Sequence, residues 1–301
     1  MASGSKKVIY AALVGNFLIA ITKFIAASIT SSSAMLSEGI HSMVDTGNQV
    51  LLLYGLRRAN MPADEQFPFG HGKEVYFWSF IVAILIFAVG AGVSLYEGIE
   101  HMLHPAHIGD PTINYIVLGL AMIFEGAAWF FAWKAFKRAK GKLDYVTAVK
   151  RSKDPTLFVV LFEDSAAMLG LAVAFLGVFL TQVTHNALFD GLASVIIGLI
   201  LGGTAIWLAI ETKGLLIGEA ADPDVVQGIH NMAKAYPDIL YVNEVLTMHM
   251  GPEFILVNLS ANFADANSAD DIEDTISRLD QQIKSEFPHV KRVFVEAERR
   301  K

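Results

Sequence analysis

Six long apolar runs, separated by shorter polar stretches, fill most of the first 217 positions of the chain. Each run is long enough to cross the hydrocarbon core of a bilayer as an α-helix, which takes about 20 residues. We expect these helices at about residues 8–29, 34–56, 75–95 with a more polar extension toward 102, 112–136, 155–180 and 187–216. The pattern therefore predicts a polytopic α-helical membrane domain of six transmembrane helices at residues 1–217.

In the remaining stretch, 218–301, apolar and polar residues alternate as in an ordinary small soluble domain. Asp222 followed by Pro223 is typical of a helix start, and Ser268 with Asp271 is typical of a second one. Between and after these helices lie three runs rich in β-branched residues, two of them joined at Gly251. We expect elements in the order αββαβ, at about 222–235, 239–250, 254–263, 268–287 and 290–297. This order predicts a small open α+β sandwich.

Composition agrees with a membrane protein and excludes several functions. The chain is 53% hydrophobic and only 18% charged, whereas a soluble domain is nearer to a quarter charged. The net charge of -7 argues against nucleic acid as a partner. The absence of cysteine removes disulfides, thiolate zinc sites and cysteine nucleophiles. No metalloprotease, phosphate-loop or serine-hydrolase motif is present, so we expect a protein that is not an enzyme.

Lysine and arginine mark one side of the membrane. They precede the first helix, fill the second-to-third and fourth-to-fifth connections, and end the sixth helix, whereas the other three connections contain none. The positive-inside rule then places both termini and the soluble domain in the cytoplasm. A missed or false helix would instead scatter these charges over both sides. We expect an integral protein of the bacterial inner membrane with an uncleaved first helix, in which Lys23 snorkels toward the outer interface.

The second predicted helix carries three ionisable groups on one face. Glu38, His41 and Asp45 are spaced i, i+3 and i+7, so they lie on the same side of a helix. Such groups are expensive in hydrocarbon, and they usually face a bundle interior and mark an ion or proton path. The alternative is that these acids are neutral and only hydrogen-bond neighbouring helices.

The fourth and fifth helices offer further acids. Glu163 and Asp164 are adjacent, and neighbouring helical residues point about 100° apart, so we expect only one of them to face the second helix. Oxygen ligands with one imidazole suit Zn²⁺ or another divalent first-row metal. Glu125 lies at a depth in the membrane similar to that of Asp164. It could be an acid of the ion pathway, or a carboxyl that only forms hydrogen bonds between packed helices.

Histidines outside the helices give weaker signals. Asp64 and His71, in the connection after the second helix, could share a weak metal site, or they could simply stabilise a turn. His101, His104 and His107 are expected to be solvated in an outer loop, with weak metal capture as the alternative. A structural role is expected for His249 in the predicted sheet.

These motifs together resemble one known family. Six helices before an αββαβ tail, His41-Ser-Met-Val-Asp45, and Phe69-Gly-His-Gly-Lys73 are similar to the cation diffusion facilitators. The run Leu161–Gly170 resembles the branch that contains the animal mitochondrial zinc transporter. The resemblance implies a homodimeric exporter that exchanges a divalent metal, most often zinc, for protons. It also implies a transport site between the second and fifth helices and a metallochaperone-like dimerisation domain.

Carried over residue by residue, the resemblance gives an incomplete ligand set. His41, Asp45 and Asp164 match the transport site, with His41 also coupling protons, but the family's fourth ligand position is Val160. Water or one of Glu38, Glu163 and Glu125 must then supply the fourth ligand. In the loop site an expected histidine is Phe67. The tail positions that bind metal in some members are Asn243, Asn258, Glu296 and Glu298.

Two other functions stay open at this stage. The oxygen-rich site fits an exporter selective for manganese, iron, cobalt or nickel. The missing ligand also leaves room for a metal-binding regulatory subunit that does not transport.

Overall fold

The computed structural model describes residues 3–105 and 110–299, with side chains from residue 13 onward except at 150 and 157. The regular elements that it describes before residue 218 are all helices. The helices are α1 (Ser3–Thr30), α2 (Ser33–Ala59), α3 (Glu74–Leu85), a π-helical segment (Ile86–Ala91), α4 (Gly92–Leu103), α5 (Thr112–Lys140), α6 (Tyr145–Arg151), α7 (Pro155–Thr184) and α8 (Leu188–Ile217).

Five of the six expected transmembrane helices are long and apolar enough to span a membrane. Among them, α3, the π-helical segment and α4 form one continuous span, Glu74–Leu103. Helix α2 is long enough, with 27 residues or about 40 Å, but its buried polar side chains lower its hydropathy. Helix α1 begins at Ser3, so Lys6 and Lys7 lie within it rather than before it.

Helix α4 packs closely against α8. Gly98 of α4 lies against α8, where an added Cβ would fall 2.7 Å from the backbone nitrogen of Val195 and 2.8 Å from the carbonyl oxygen of Gly191. Small residues allow two backbones to approach in this way, which supports helix association in a membrane.

The tail folds in the predicted αββαβ order. Its elements are α9 (Pro223–Lys234), β1 (Ile239–Gly251), β2 (Phe254–Phe263), α10 (Ala269–Glu286) and β3 (Val290–Ala297). Strand β2 is central, antiparallel to β1 and parallel to β3. Both predicted helix starts are confirmed: Asp222 caps α9 ahead of Pro223, and Ser268 with Asp271 forms a capping box on α10.

Alternation along β2 builds the core of the tail. Val257, Leu259 and Ala261 point to the buried face, where Leu279 and Ile283 of α10 cover them. Polar residues alternate with them on the opposite face, as the period of a strand requires.

The contacts divide the chain into two compact units. One is drawn from Met1–Leu56, Phe77–Lys150 and Pro155–Thr212, and the other from Arg57–Tyr76, Arg151–Asp154 and Lys213–Lys301. The second unit therefore contains two short connecting segments as well as the tail. The boundary at 217/218 stays a prediction.

Candidate transport site

The polar face of helix α2 points into the interior of the bundle. Glu38 and His41 are completely buried, and Asp45 is nearly so, with 13% of its side chain exposed. His41 Nδ1 lies 3.5 Å from Asp45 Oδ1, one helical turn away. The predicted shared face is thus present, and it is turned away from lipid.

Three carboxylates from three different helices line one small cavity. Asp45 of α2, Glu125 of α5 and Asp164 of α7 meet there, together with Ser42 of α2 and Asn16 of α1. The space is about that of one water-sized particle. This geometry brings the second, fourth and fifth predicted helices together around a polar centre within the membrane domain.

Both acids of the Glu163–Asp164 pair face α2, so the expectation that only one would do so is wrong. Asn48 Nδ2 of α2 donates to Glu163 Oε1 at 2.6 Å, and Glu163 also lies within hydrogen-bonding reach of Asp45. Asp164 lines the cavity instead. Helix α7 lies close enough to α2 that side chains 100° apart reach different turns of the same neighbour.

Lys23 does not snorkel toward the interface, which corrects the sequence-based expectation. Its side chain is completely buried, and its Nζ donates to Glu38 Oε2 at 3.0 Å and to Glu125 Oε1 at 2.8 Å. A third hydrogen bond, of 2.7 Å, goes to Ser42 Oγ. Pairing with two carboxylates offsets the cost of burying the ammonium, so the side chain does not need to extend to the membrane interface.

Gly170 of α7 leaves room for Glu38. A methyl group at Gly170 would overlap Glu38 Oε1. Glu38 is thus committed to Lys23 through one oxygen and packed against α7 through the other.

Several polar atoms around the cavity are buried without a hydrogen-bond partner among the described residues. They are both ring nitrogens of His41, Asp45 Oδ1, Glu125 Oε2 and Glu38 Oε1. Buried polar atoms in native proteins are nearly always paired. Carboxylate oxygens and an imidazole nitrogen with unused lone pairs can accept protons or bind divalent cations.

The candidate ligands are near one another but are not already arranged around a single point. Among the described residues, no three His, Asp or Glu side chains are close enough to hold one ion without movement. His41 itself contacts Asp45 but does not line the cavity. Rotation of His41 or Asp45 about its side-chain bonds would be needed to complete a shared coordination sphere.

The two predicted loop residues do meet. His71 Nε2 and Asp64 Oδ2 are 2.9 Å apart, and Asp64 Oδ1 accepts the backbone N–H of Phe67. These hydrogen bonds, that of His71 first, hold the pKa of Asp64 below its ordinary value. Phe67 occupies the position where the resemblance implies a histidine, and its ring lies against that of His71 with 4.6 Å between the centroids and 48° between the planes. The pair therefore stabilises a turn and offers at most two ligands.

The outer histidines do not form a cluster in the described part of the chain. His101 is largely buried, 3.9 Å from Asp190, whereas His104 is exposed and pairs with Glu100 of its own helix. His107 lies outside the described residues. The expectation of loop solvation therefore holds for His104 but not for His101.

The tail positions with family precedent for metal binding are hydrogen-bonded to one another or to a serine. Asn258 Nδ2 donates to Glu296 Oε1 at 3.1 Å. Ser260 accepts from Asn243 at 3.0 Å and donates to Glu298 at 2.6 Å. Amides are poor zinc ligands, and these donors are used within the sheet.

Sequence reasoning missed Asn16 and misassigned Lys23. A lysine in the middle of an apolar run was the available signal, since intramembrane charges mark functional sites by default. Asn16 carried a weaker signal, as a lone amide seven residues, or two helical turns, before Lys23 on the same face of α1.

Comparison with known proteins places most of the helical part of the chain in one family. The family described as cation efflux transmembrane domain matches residues 9–217. A proton-coupled zinc antiporter, SLC30A9, mitochondrial, of Xenopus laevis is 35% identical over 86% of this chain and 47% of its own length. The corresponding human protein is 34% identical over 82% of this chain and 44% of its own length.

More distant relatives cover a wider range of organisms. Metal tolerance protein C4 of Arabidopsis thaliana is 32% identical over 72% of this chain and 48% of its own length. The cation-efflux pump FieF of Escherichia fergusonii is 26% identical over 80% of this chain and 76% of its own length. The chain spans about half the length of the curated SLC30A9 relatives it matches. The antiporters and the efflux pump among them are transporters rather than enzymes by name. The chain is an integral membrane protein that belongs to the cation efflux family, the cation diffusion facilitators.

Proposed function

We propose that this protein exports a divalent metal cation, zinc in the first place, in exchange for protons by alternating access. The observation that carries the proposal is the cavity where Asp45, Glu125 and Asp164 meet from three helices. Buried carboxylates of this kind need cations or protons, and helices that each supply one ligand can separate to release the ion. The names of two relatives at 34–35% identity, both proton-coupled zinc antiporters, support the same exchange.

In this proposal His41, Asp45 and Asp164 bind the metal, and Glu125 supplies the fourth ligand in place of Val160. Glu125 is favoured over Glu38 and Glu163 because its free oxygen is buried beside the cavity. Lys23 binds both Glu38 and Glu125, but neither Glu38 nor Glu163 lines the cavity. The pair of Asp64 and His71 acts as a structural turn rather than as a second transport site.

Proton coupling follows from the chemistry of the ligands. Metal binds imidazole and carboxylate groups in their deprotonated forms, so metal and protons compete for the same lone pairs. On the side where protons are abundant, protonation of His41 and the acids releases the metal. On the return step the protonated site crosses in place of the metal-bound one.

Flux measurements in proteoliposomes test the exchange. Zinc loaded outside should enter faster when the lumen is acidic, and each pulse of zinc should move protons the opposite way. Zinc uptake that ignores an imposed pH gradient would overturn the antiport mechanism. A panel of zinc, manganese, iron, cobalt and nickel at equal concentration decides between zinc and the alternative substrates.

The non-transporting alternative predicts a different result in the same vesicles. Counterflow of radiolabelled zinc, driven by unlabelled zinc inside, requires a carrier that moves bound metal across the bilayer. A regulatory subunit would bind zinc and show no counterflow.

The absence of cysteine makes the orientation directly testable. We propose that the protein lies in the inner membrane of a bacterial host and that both of its termini lie in the cytoplasm. One cysteine is placed at Lys142, in the basic connection that precedes α7, and another at Thr184, the last residue of α7. The two should react with an impermeant maleimide from opposite sides of the membrane. Labelling of both positions from one side would refute this topology.

A homodimer is the oligomeric state that we propose. Exposed apolar side chains on the tail sheet support it, since Leu246 of β1 is 56% and Phe294 of β3 is 47% exposed, and both lie opposite Asn258 of the central strand β2. The mass of the detergent-solubilised protein by light scattering should correspond to two chains, with zinc chelated or present. A mass of one chain at micromolar concentration would contradict it.

A further inference from the structure

Lys23 uses all its hydrogen-bonding capacity on the groups around the cavity. An ammonium carries three protons, and Lys23 directs one each to Glu38, Ser42 and Glu125. Among the side chains that the structure describes, it is the one Lys or Arg that is fully buried. The positive charge is therefore fixed in place by three bonds to two other helices.

The two carboxylate oxygens of Glu125 have different surroundings, one bound to Lys23 and the other without a partner beside the cavity. Its Oε1 accepts the bond from Lys23 at 2.8 Å, while its Oε2 is buried without a partner in the described residues. Ser42, a second partner of Lys23, lines the same cavity. Any cation bound at the cavity must share Glu125 with an ammonium that is already there.

The charges around this point come from four helices. Lys23 lies on α1, Glu125 on α5, and the remaining ionisable groups lie on α2 and α7: Glu38, His41, Asp45, Glu163 and Asp164. One positive charge thus stands among five carboxyl groups. It withdraws one lone pair of Glu125 from an incoming ion and repels that ion through a poorly screened medium.

We propose that Lys23 is a positioning residue that sets the metal affinity of the cavity, weakening binding so that the ion is released. An exporter needs a site that binds well enough to load and loosely enough to unload. Lys23 holds Glu125 in line with the cavity and competes for it at the same time. This inference rests on the proposed function, since it concerns the affinity of the same site.

Replacing Lys23 by methionine tests the idea, because methionine keeps the length of the side chain and removes the charge. In zinc flux at pH 8, Lys23→Met should lower KM about tenfold or more, since hydrogen bonds between charged groups contribute about that factor. The maximal rate should fall, because release slows. An unchanged KM, or a raised KM, would overturn the proposal. If Lys23 only packed the helices together, its replacement by methionine would not make the protein bind zinc more tightly.

Glu38→Gln should change KM in the opposite direction. Without the charge of Glu38, Lys23 has Glu125 as its remaining carboxylate partner and withdraws it further from the cavity, so KM should rise. In a Glu125→Gln background, Lys23→Met should lower KM by less than it does alone, since the shared carboxylate is gone and only the repulsion remains to be removed. Thr22→Met, on the exposed side of the same helix, is the matched control and should match the wild type.

A second pair of variants covers the case in which Lys23→Met does not fold. Lys23→Met with Glu38→Met removes the buried charge pair together, which proteins often tolerate when the replacements are apolar. This double variant should also show the lowered KM, and a wild-type KM would refute the inference.

Zinc binding measured without transport separates this inference from the proposed function. Purified wild-type protein and Lys23→Met are titrated with zinc against a chromophoric chelator in detergent, and the variant should bind about tenfold or more tightly. Wild-type protein that binds zinc but moves none defeats the proposed function. Wild-type protein that transports zinc, with equal affinity in the variant, defeats the role of Lys23 alone.

Discussion

Asp190 of helix α8 fixes the start of helix α2, because its Oδ2 accepts the backbone N–H of Ser33 at 2.5 Å. The same carboxylate accepts the hydroxyl of Ser32 at 2.6 Å and the N–H of Ala34 at 3.3 Å. The first N–H groups of a helix have no partner within it. Here a fully buried acid, from a helix far away in the sequence, accepts hydrogen bonds from these N–H groups. It therefore determines where the polar face of α2 begins.

Loss of this carboxylate should destabilise the membrane domain. Asp190→Ala leaves two backbone donors and a hydroxyl buried without an acceptor, so we expect a loss of about 2 kcal/mol or more. Asp190→Asn keeps one acceptor oxygen and should lose less. Thermal unfolding in detergent, read by tryptophan fluorescence, measures the order wild type, Asn, Ala. Equal stability of Asp190→Ala and wild type would show that α2 starts without help from α8.

The transport site is tested by substituting its ligands one at a time. His41→Ala and Asp164→Ala each remove a proposed ligand, so zinc flux in proteoliposomes should fall by about 100-fold or more, at or beyond the top of the roughly 10- to 100-fold loss typical of a residue that only supports a ligand. Asn258→Ala, in the tail sheet, should leave flux unchanged. Normal flux in Asp164→Ala would mean that the site lies elsewhere.

Close packing of α4 against α8 gives a prediction with a matched control. Gly98→Ala would place a methyl group 2.7 Å from the backbone of Val195, so one helix must shift, at a cost of about 1–3 kcal/mol. Gly119→Ala on α5 meets nothing within 4 Å and should be neutral or slightly stabilising. Thermal unfolding of both variants in the same detergent compares them. A Gly98 variant as stable as the Gly119 variant would contradict the close approach.

Features that belong to one segment could be predicted from the sequence. The order of the tail elements, its two capped helices and the shared face of Glu38, His41 and Asp45 all follow from local spacing, and the structure has them. Each depends on residues within a few turns of one another. Local physics is enough to fix them.

Relationships between helices could not be predicted in this way. Lys23, Glu38 and Glu125 are far apart in sequence, and the period of a helix shows which face is polar but not which neighbour covers it. The partner of Asp190 at the start of α2 was missed for the same reason. The inward direction of both Glu163 and Asp164 depends on how closely α7 approaches α2, which is a property of packing.

His249 in strand β1 should make the tail sensitive to acid. Burial lowers the pKa of its imidazole below the ordinary value of 6.5, with a smaller opposing effect from its hydrogen bond to the carbonyl oxygen of Gly251. Glu219, Lys153 and His289 are the charged and titratable groups that act on it, and their effects are smaller than that of burial.

Because the folded chain holds His249 neutral, the unfolded chain binds more protons as the pH falls below about 6.5. Stability of the tail should therefore decline from that pH downward until the lower folded pKa is passed. Hydrogen exchange of β1 and β2 in the full-length protein, corrected for the intrinsic rate, should be faster at pH 5.5 than at pH 7.5. His249→Gln cannot gain the proton, so its exchange should depend less on pH. The same pH dependence in His249→Gln as in the wild type would assign the effect to another group.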